Sequence, residues 1–376
     1  MRVGIDTDWL AGPRRDGLYN HAAGLLAGLR EAGLAGAATL YTWNRGPGAV
    51  AADGFRARDY RPPARLHRLR KRLEPFSRYG RLDVFQSMTH AGFPPVAGRL
   101  NAYLVPDLTT VRVPECHTAK TRADWDAYLD AVRRHADLVV TWSAHTRTDV
   151  ADTLDIPLDR IAAIPLGCGP DFRPVPPAET APALAALGVE FGRYLLTVGT
   201  VEPRKNHVTL FRAYAALKAR GRVAGVPLVV VGAKGHDSDA IVAELDRLGL
   251  TADDVRMAGF AGPLPALYSG AAALAYPSRY EGFGLPPLEA MACGCPVVVS
   301  TATSLPEVVG DAGLLADPDD IDTLADHLGR VLAEPELRVR LVAAGRERAA
   351  GFTWRRYAEE LFAAYRAARA ARRERV

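Results

Sequence analysis

Short apolar runs rich in β-branched residues recur along the chain with stretches of helical spacing between them, and few folds accept that rhythm. In the first half the runs are VGI, AATLYTW, DVFQSM, NAYLV, DLVVTWS and IAAIPL. A strand, a helix and then another strand make a parallel crossover unit. The rhythm pauses at RPVPPAETAPALAALGVEFGR, residues 173–193, whose prolines and small residues suit a linker with a short helix at its centre. It restarts with YLLTVGT, VPLVVVGA, VRMAGF, ALAYPS and PVVVST. Two doubly wound α/β domains joined near residue 180 are therefore expected. The 376 residues exceed what one core supports, which agrees. The last stretch, TWRRYAEELFAAYRAARAARRERV, keeps helical spacing with no strand after it and reads as a closing helix.

Composition narrows the function classes. Hydrophobic residues at 48% and charged residues at 24% fit a soluble globular protein. No apolar run approaches the roughly 20 residues needed to cross a bilayer, and MRVGIDTDWL lacks the order of a signal peptide, so a cytoplasmic location is expected. Cys116, Cys168, Cys293 and Cys295 show no zinc spacing and read as reduced thiols. A net charge of +4 is mild for a nucleic-acid binder, and no nucleic-acid partner is expected. The excess is clustered in residues 56–81 and in the tail. Such runs are usually solvated helix faces; an anionic membrane surface or anionic acceptor is the other partner they suit. Repeats of fixed short period are absent, which excludes a solenoid.

Two segments of the second half carry chemistry. In TVGTVEPRKNHVTLFRAYAALKAR a strand ends in Gly199 and Thr200, and a helix begins near Asn206, with Arg204 and Lys205 at its start. A helix N-terminus favours an anion by roughly 0.3 to 1 kcal/mol, and charge-assisted bonds add about 1.5 to 3 kcal/mol each. That combination describes a diphosphate clamp. In RYEGFGLPPLEAMACGCPVVVS, Gly282 and Gly284 let backbone amides approach a ligand, while Pro286 and Pro287 set the entry to a helix beginning near Leu288. Glu281 precedes this turn and Glu289 falls in the first helical turn, both read as exposed carboxylates able to accept paired hydroxyls of a sugar or ribose.

These segments, with HADLVVTWSAHTRTDV, RIAAIPLGCGPDFRP and LPEVVGDAGLLADPDD, resemble the retaining, nucleotide-sugar-dependent glycosyltransferases of group 1, family 4 type, which carry two glutamates with seven residues between them. Glu281 and Glu289 have that spacing. The resemblance implies a GT-B fold, two doubly wound Rossmann-like domains facing a central crevice. It implies an acceptor-binding domain at 1–175, a donor-binding domain at 176–355, and a closing helix at 356–376 crossing back to the first domain. Arg204 and Lys205 would hold the donor diphosphate, Glu289 the ribose hydroxyls, and Glu281 would lie near the transferred sugar. Amides of Phe283, Gly284 and Leu285 would approach sugar and phosphates, and Gly259 with Phe260 would meet the base. The donor would be a UDP- or GDP-sugar, with no cofactor and no metal required, and the acceptor a small polar molecule, glycoside or glycan.

The first half departs from the pattern. Gly17 is the residue available for the phosphate-approaching loop, preceded by Arg14 and Arg15. Many relatives place a His-Asp pair where this chain has Pro106 and Asp107, so either Asp107 acts alone or His90 in SMTHAGFPP takes the histidine's part. Asp6-Thr7-Asp8 is formally an Asp-x-Asp metal motif, yet no second ligand cluster accompanies it, so no metal site is expected. Asp319 and Asp320 read as a helix cap. A dehydrogenase is excluded because neither half carries G-x-G-x-x-G followed by an acidic residue. The alternative on the same fold is a catalytically silent nucleotide-sugar sensor or scaffold, favoured by the missing histidine and opposed by Arg204, Lys205, Glu281 and Glu289.

Overall fold

The computed structural model describes residues 1–11, 17–42, 54–59, 82–88 and 98–374. These residues form two compact units, each built on its own parallel sheet.

The first unit comprises Met1–Leu108, Ala119–Gly167 and Thr353–Val376. Its strands are β1 (Val3–Asp6), β2 (Ala38–Thr42), β3 (Arg56–Asp59), β4 (Val84–Ser87), β5 (Leu100–Leu104), β6 (Leu138–Thr141) and β7 (Ile161–Ala163), in the order β3-β2-β1-β4-β5-β6-β7. Every pair is parallel. β1, β4, β5 and β6 are buried along their length, as a sheet covered on both faces requires.

The closing helix, Trp354–Glu374, belongs to this unit and packs on the helix Gly17–Glu31. Gly24 permits the approach: a Cβ there would lie 2.0 Å from the Trp354 ring. The buried His21 shares a 2.7 Å hydrogen bond with the Tyr357 hydroxyl, and burial pulls its pKa down to about 3, so the ring is neutral. Further along, Tyr365 donates to Gln86 Oε1 at 2.8 Å.

The second unit comprises Thr109–Thr118 and Cys168–Phe352. Its strands are β8 (Leu195–Val198), β9 (Leu228–Val231), β10 (Val255–Gly259), β11 (Ala273–Tyr276), β12 (Val297–Ser300) and β13 (Leu314–Ala316), in the order β10-β9-β8-β11-β12-β13, again all parallel. Leu195, Leu228, Val230 and Val298 project into one core with Leu210, Phe211, Tyr214 and Leu217 of the helix His207–Ala219 and Leu324 and Leu328 of the helix Ile321–Ala333. Asp320 caps the latter, accepting the Thr323 amide at 2.9 Å.

In each sheet the winding direction reverses once, between β1 and β4 and between β8 and β11. Doubly wound sheets bind ligands at such a reversal, outside the carboxyl ends of the strands. β3 and β13 were not among the expected strands. β3 is an edge strand of mostly charged residues, RARD, without the apolar run of a central strand, and β13 is an edge strand whose apolar run, LLA, is only three residues long. The stretch 173–193 contains the helix Pro177–Ala186. The four cysteines are free, and no helix among the described residues is long and apolar enough to cross a membrane.

Candidate functional site

The reversal in the second sheet brings the segment after β8 beside the segment after β11, and both sequence-selected segments begin there. After β8 come Gly199 and Thr200, then a tight 3-10 turn, Pro203–Lys205, and Asn206 in the left-handed region at φ 59°. Arg204 and Lys205 therefore lie in the turn that leads into the helix His207–Ala219 rather than within it. The turn is fastened to the neighbouring segment. Asn206 Nδ2 donates to Pro277 O at 3.1 Å and Pro318 O at 2.6 Å, and Ser278 Oγ lies 3.1 Å from Arg204 O.

Glu281 is the centre of the site. Its Oε1 accepts from Lys205 Nζ at 2.6 Å, Ser278 Oγ at 2.6 Å and the Tyr276 hydroxyl at 2.9 Å, and its Oε2 accepts from Arg204 Nη1 at 2.9 Å. Burial works to raise the pKa of this carboxyl, but the Arg204 and Lys205 charges outweigh it and hold the value down to about 2. Arg204 also binds Glu202 Oε1 through Nη2 at 2.7 Å and Nε at 3.1 Å. Lys205 is lowered from its ordinary range by burial and by the neighbouring Arg204, against the pull of Glu281.

The backbone around Glu281 is held with similar care. Its amide donates to Thr303 Oγ1 at 2.9 Å, and Thr303 sits at φ 54°, a conformation a β-branched residue rarely adopts. Ser304 Oγ contacts the carbonyls of Glu281 at 2.8 Å and Phe283 at 2.6 Å. Tyr276, Ser278, Thr303 and Ser304 were not singled out from sequence. The available signal was the Y-P-S-x-x-E spacing, which sets a phenol and a hydroxyl five and three residues before the glutamate.

The helix after the turn starts at Leu285, three residues earlier than expected, and ends at Ala292. Gly284 at φ 124° makes that early start possible, and Pro286 and Pro287 occupy positions whose N–H groups an α-helix leaves unpaired anyway. No protein acceptor takes the amides of Phe283, Gly284 or Leu285 among the described residues. They remain as donors for an anion at a helix N-terminus.

Glu289 is consequently the fifth helical residue, and it is buried, only 7% exposed, where an exposed carboxylate was expected. The Tyr268 hydroxyl donates to its Oε2 at 3.0 Å. Burial outweighs that bond and pushes its pKa up to about 7. The two glutamates thus differ in charge state: Glu281 is a fixed anion, and Glu289 titrates near neutrality.

The other expected residues are placed as follows. Gly259 ends β10 and Phe260 follows it, 89% exposed. In the first unit, Gly17 opens its helix, exposed with no atom near where a Cβ would stand, and Asp107 is half-buried just past β5. Asp6 is buried and accepts the backbone amides of Asp8 at 3.0 Å and Met88 at 3.4 Å. His90, Arg14, Arg15 and most of the basic stretch, 60–81, lie outside the described residues. Beside the Pro203–Lys205 turn a cavity of about 260 Å³ is lined by Glu115, Cys116, Arg204, His207 and Arg279 among others; Lys205, Glu281 and Glu289 do not line it. His207 is neutral, its pKa pulled to about 4 by burial and by Lys205.

Comparison with known proteins gives the family and the fold. Residues 189–348 match the family described as glycosyl transferases group 1. The chain is 37% identical over 262 residues to the O-antigen chain mannosyltransferase B of Escherichia coli, covering 69% of this chain and 68% of that protein. It is 38% identical over 215 residues to a D-inositol 3-phosphate glycosyltransferase of Saccharomonospora viridis, covering 54% of this chain and about half, 49%, of that protein. The Anabaena protein Alr3699/HepE, solved in complex with UDP and glucose, superposes with a TM-score of 0.71 at 18% identity, over 96% of this chain and 98% of that one, which shows the fold. The chain belongs to the group 1, family 4 type glycosyltransferases, retaining enzymes of the GT-B fold that use nucleotide-sugar donors.

Proposed function

We propose that this enzyme moves a hexose, mannose first among the candidates, from a GDP- or UDP-sugar to a hydroxyl of a glycan acceptor, without a metal ion. The observation that carries this reading is the Arg204–Lys205–Glu281 network at the sheet reversal, beside the unpaired amides of Phe283, Gly284 and Leu285. The mannosyl and glycan assignments draw on the Escherichia coli relative, whose name specifies both mannosyl transfer and an O-antigen chain.

In the reaction the bond from the anomeric carbon to the donor phosphate breaks, and its electron pair passes to the leaving diphosphate. Fixed cations and amides aimed at that growing charge lower the barrier without having to reorganise. Lys205, Arg204 and the helix amides are of this kind, and they supply what a divalent ion supplies in other sites. Glu281 is poorly suited to act as a nucleophile, because two cations and two hydroxyls already hold its oxygens. The acceptor oxygen therefore attacks from the face the phosphate leaves, and its proton passes to the departing phosphate oxygen, which retains the configuration.

Glu289 is assigned to the ribose hydroxyls, Phe260 and Gly259 to the base, and Gly199 and Thr200 to the phosphate side. Gly17, Asp107 and His90 are assigned to the first unit's contribution to phosphate, reacting sugar and acceptor.

The test is turnover. GDP-mannose, UDP-glucose and UDP-N-acetylglucosamine are each incubated with mannose-containing oligosaccharides in EDTA, and nucleoside diphosphate release and product mass are followed. Retained, EDTA-resistant transfer supports the reading. A donor that binds but is never turned over would overturn it in favour of a silent binder, and activity lost to EDTA and restored by magnesium or manganese would overturn its metal-free part.

A further inference from the structure

The Lys205 ammonium has three N–H donors, and two of them have defined acceptors: the Tyr276 hydroxyl at 2.6 Å and Glu281 Oε1 at 2.6 Å. The same Tyr276 hydroxyl donates its own proton to Glu281 Oε1 at 2.9 Å. Ammonium, phenol and carboxylate therefore close a three-membered ring of hydrogen bonds. Tyr276 is the last residue of β11, buried along the strand, so its ring cannot swing away. Nζ stands at the hydroxyl end of that ring, 4.9 Å from its centroid.

A lysine side chain ordinarily has four rotatable bonds and a freely turning ammonium. With two N–H groups held by acceptors fixed to the sheet reversal, the third direction is fixed by tetrahedral geometry. No protein acceptor takes that third N–H among the described residues. Glu281 alone would leave the ammonium free to rotate about a single contact. Tyr276 removes that freedom.

We propose that Tyr276 is a positioning residue of the transfer reaction, whose hydroxyl orients the Lys205 ammonium toward the leaving phosphate. This rests on the assignment of Lys205 to the donor diphosphate. The phenol itself touches neither donor nor acceptor; it acts through Lys205.

Tyr276→Phe removes the hydroxyl and keeps the buried ring. Misorientation of a transition-state donor costs turnover more than ground-state binding, so kcat for the fastest-turned-over donor among GDP-mannose, UDP-glucose and UDP-N-acetylglucosamine should fall about 10- to 100-fold, with donor KM within about threefold. The decisive measurement is a double-mutant cycle with Lys205→Ala. In the Lys205→Ala background, Tyr276→Phe should change kcat less than about twofold, because the residue it orients is gone. An equal loss in both backgrounds would overturn the proposal and leave a packing role. A Tyr276→Phe enzyme of normal kcat, with Lys205→Ala severely impaired, would overturn it while leaving the clamp assignment intact; a normal Lys205→Ala enzyme would overturn the clamp itself. Calorimetric titration of each variant with the nucleoside diphosphate of that donor, GDP or UDP, separates lost binding from lost turnover.

Discussion

Replacing Glu289 by glutamine should change how stability depends on pH, and the size of the change follows from the site. The carboxyl has an ordinary pKa of 4.5 and is pushed to about 7 in the fold by burial. A raised folded-state pKa contributes stability that is fully present below 4.5 and is lost as pH rises through 7, because the fold then holds a buried anion that the unfolded chain would hydrate. At about 1.36 kcal/mol per pKa unit, the loss between pH 5 and pH 8 amounts to about 2 to 3 kcal/mol. Glutamine cannot ionise, so the variant lacks this loss. Its amide lacks a partner that the carboxylate does not need, a cost of about 1 to 3 kcal/mol that is the same at both pH values and drops out of the comparison. Every other titrating group is common to both proteins. Denaturant midpoints for wild type and Glu289→Gln at pH 5 and pH 8 measure the difference directly, provided the slopes agree. Wild type should lose about 2 to 3 kcal/mol more than the variant. Parallel curves would refute the buried, near-neutral Glu289, and with it the view that this carboxyl ionises within the working pH range.

The same variant should also bind GDP or UDP more weakly in a calorimetric titration; unchanged affinity would remove Glu289 from the ribose. Lys205→Ala should lose roughly two to four orders of magnitude in turnover, measured as nucleoside diphosphate release, with EDTA having no effect on wild type. Glu281→Gln should destabilise the second unit by about 3 to 5 kcal/mol at pH 7, since it leaves two half-buried cations short of their shared anion; denaturation at that pH reads the effect, and a neutral result would show that Arg204 and Lys205 find other partners. Gly24→Ala should destabilise the first unit by about 1 to 3 kcal/mol despite the better helix former, because its Cβ would meet the Trp354 ring. A stabilised variant in the same assay would show that this helix contact is loose.

Some of this was legible in the sequence because it is local. The strand-helix rhythm and the glycine-proline punctuation of EGFGLPP depend on residues near in the chain, and they pointed to the two segments, after β8 and β11, that the fold brings side by side. What surrounds those residues depends on distant ones. Tyr276 reads as an ordinary apolar end of a strand until the reversal in the sheet sets it against Lys205. Thr303 offers no sign that its backbone turns left-handed, which is what aims its hydroxyl at the Glu281 amide. Glu289 has a hydrophilic side chain on a short helix, and only the packing of Tyr268 from a helix 21 residues away shows that it is enclosed. The edge strand β3 was missed for a related reason, since a strand paired on one side needs no apolar run to hold it, and β13 was missed because three apolar residues are too few to stand out.

The two cations of the site pose a problem that the glutamate resolves. Arg204 and Lys205 must be largely removed from water if their charge is to act strongly on a leaving phosphate, and their side chains are 16% and 12% exposed. Without a ligand two such cations would repel one another and forfeit hydration. Glu281, bonded to both at 2.6 to 2.9 Å, and Glu202, bonded to Arg204, bring the formal charge of the group to zero. The cluster is therefore preformed before any donor arrives, with its geometry fixed by the sheet reversal. On the proposed assignment, an incoming diphosphate would meet the uncommitted donors first, the amides of Phe283, Gly284 and Leu285 and the third N–H of Lys205. As negative charge grows on the leaving group, the attraction of Arg204 and Lys205 toward it grows, while their bonds to Glu281 were already made in the ground state. Under that assignment the site would bind the transition state more strongly than the substrate, which is the condition for accelerating the transfer rather than merely holding the donor.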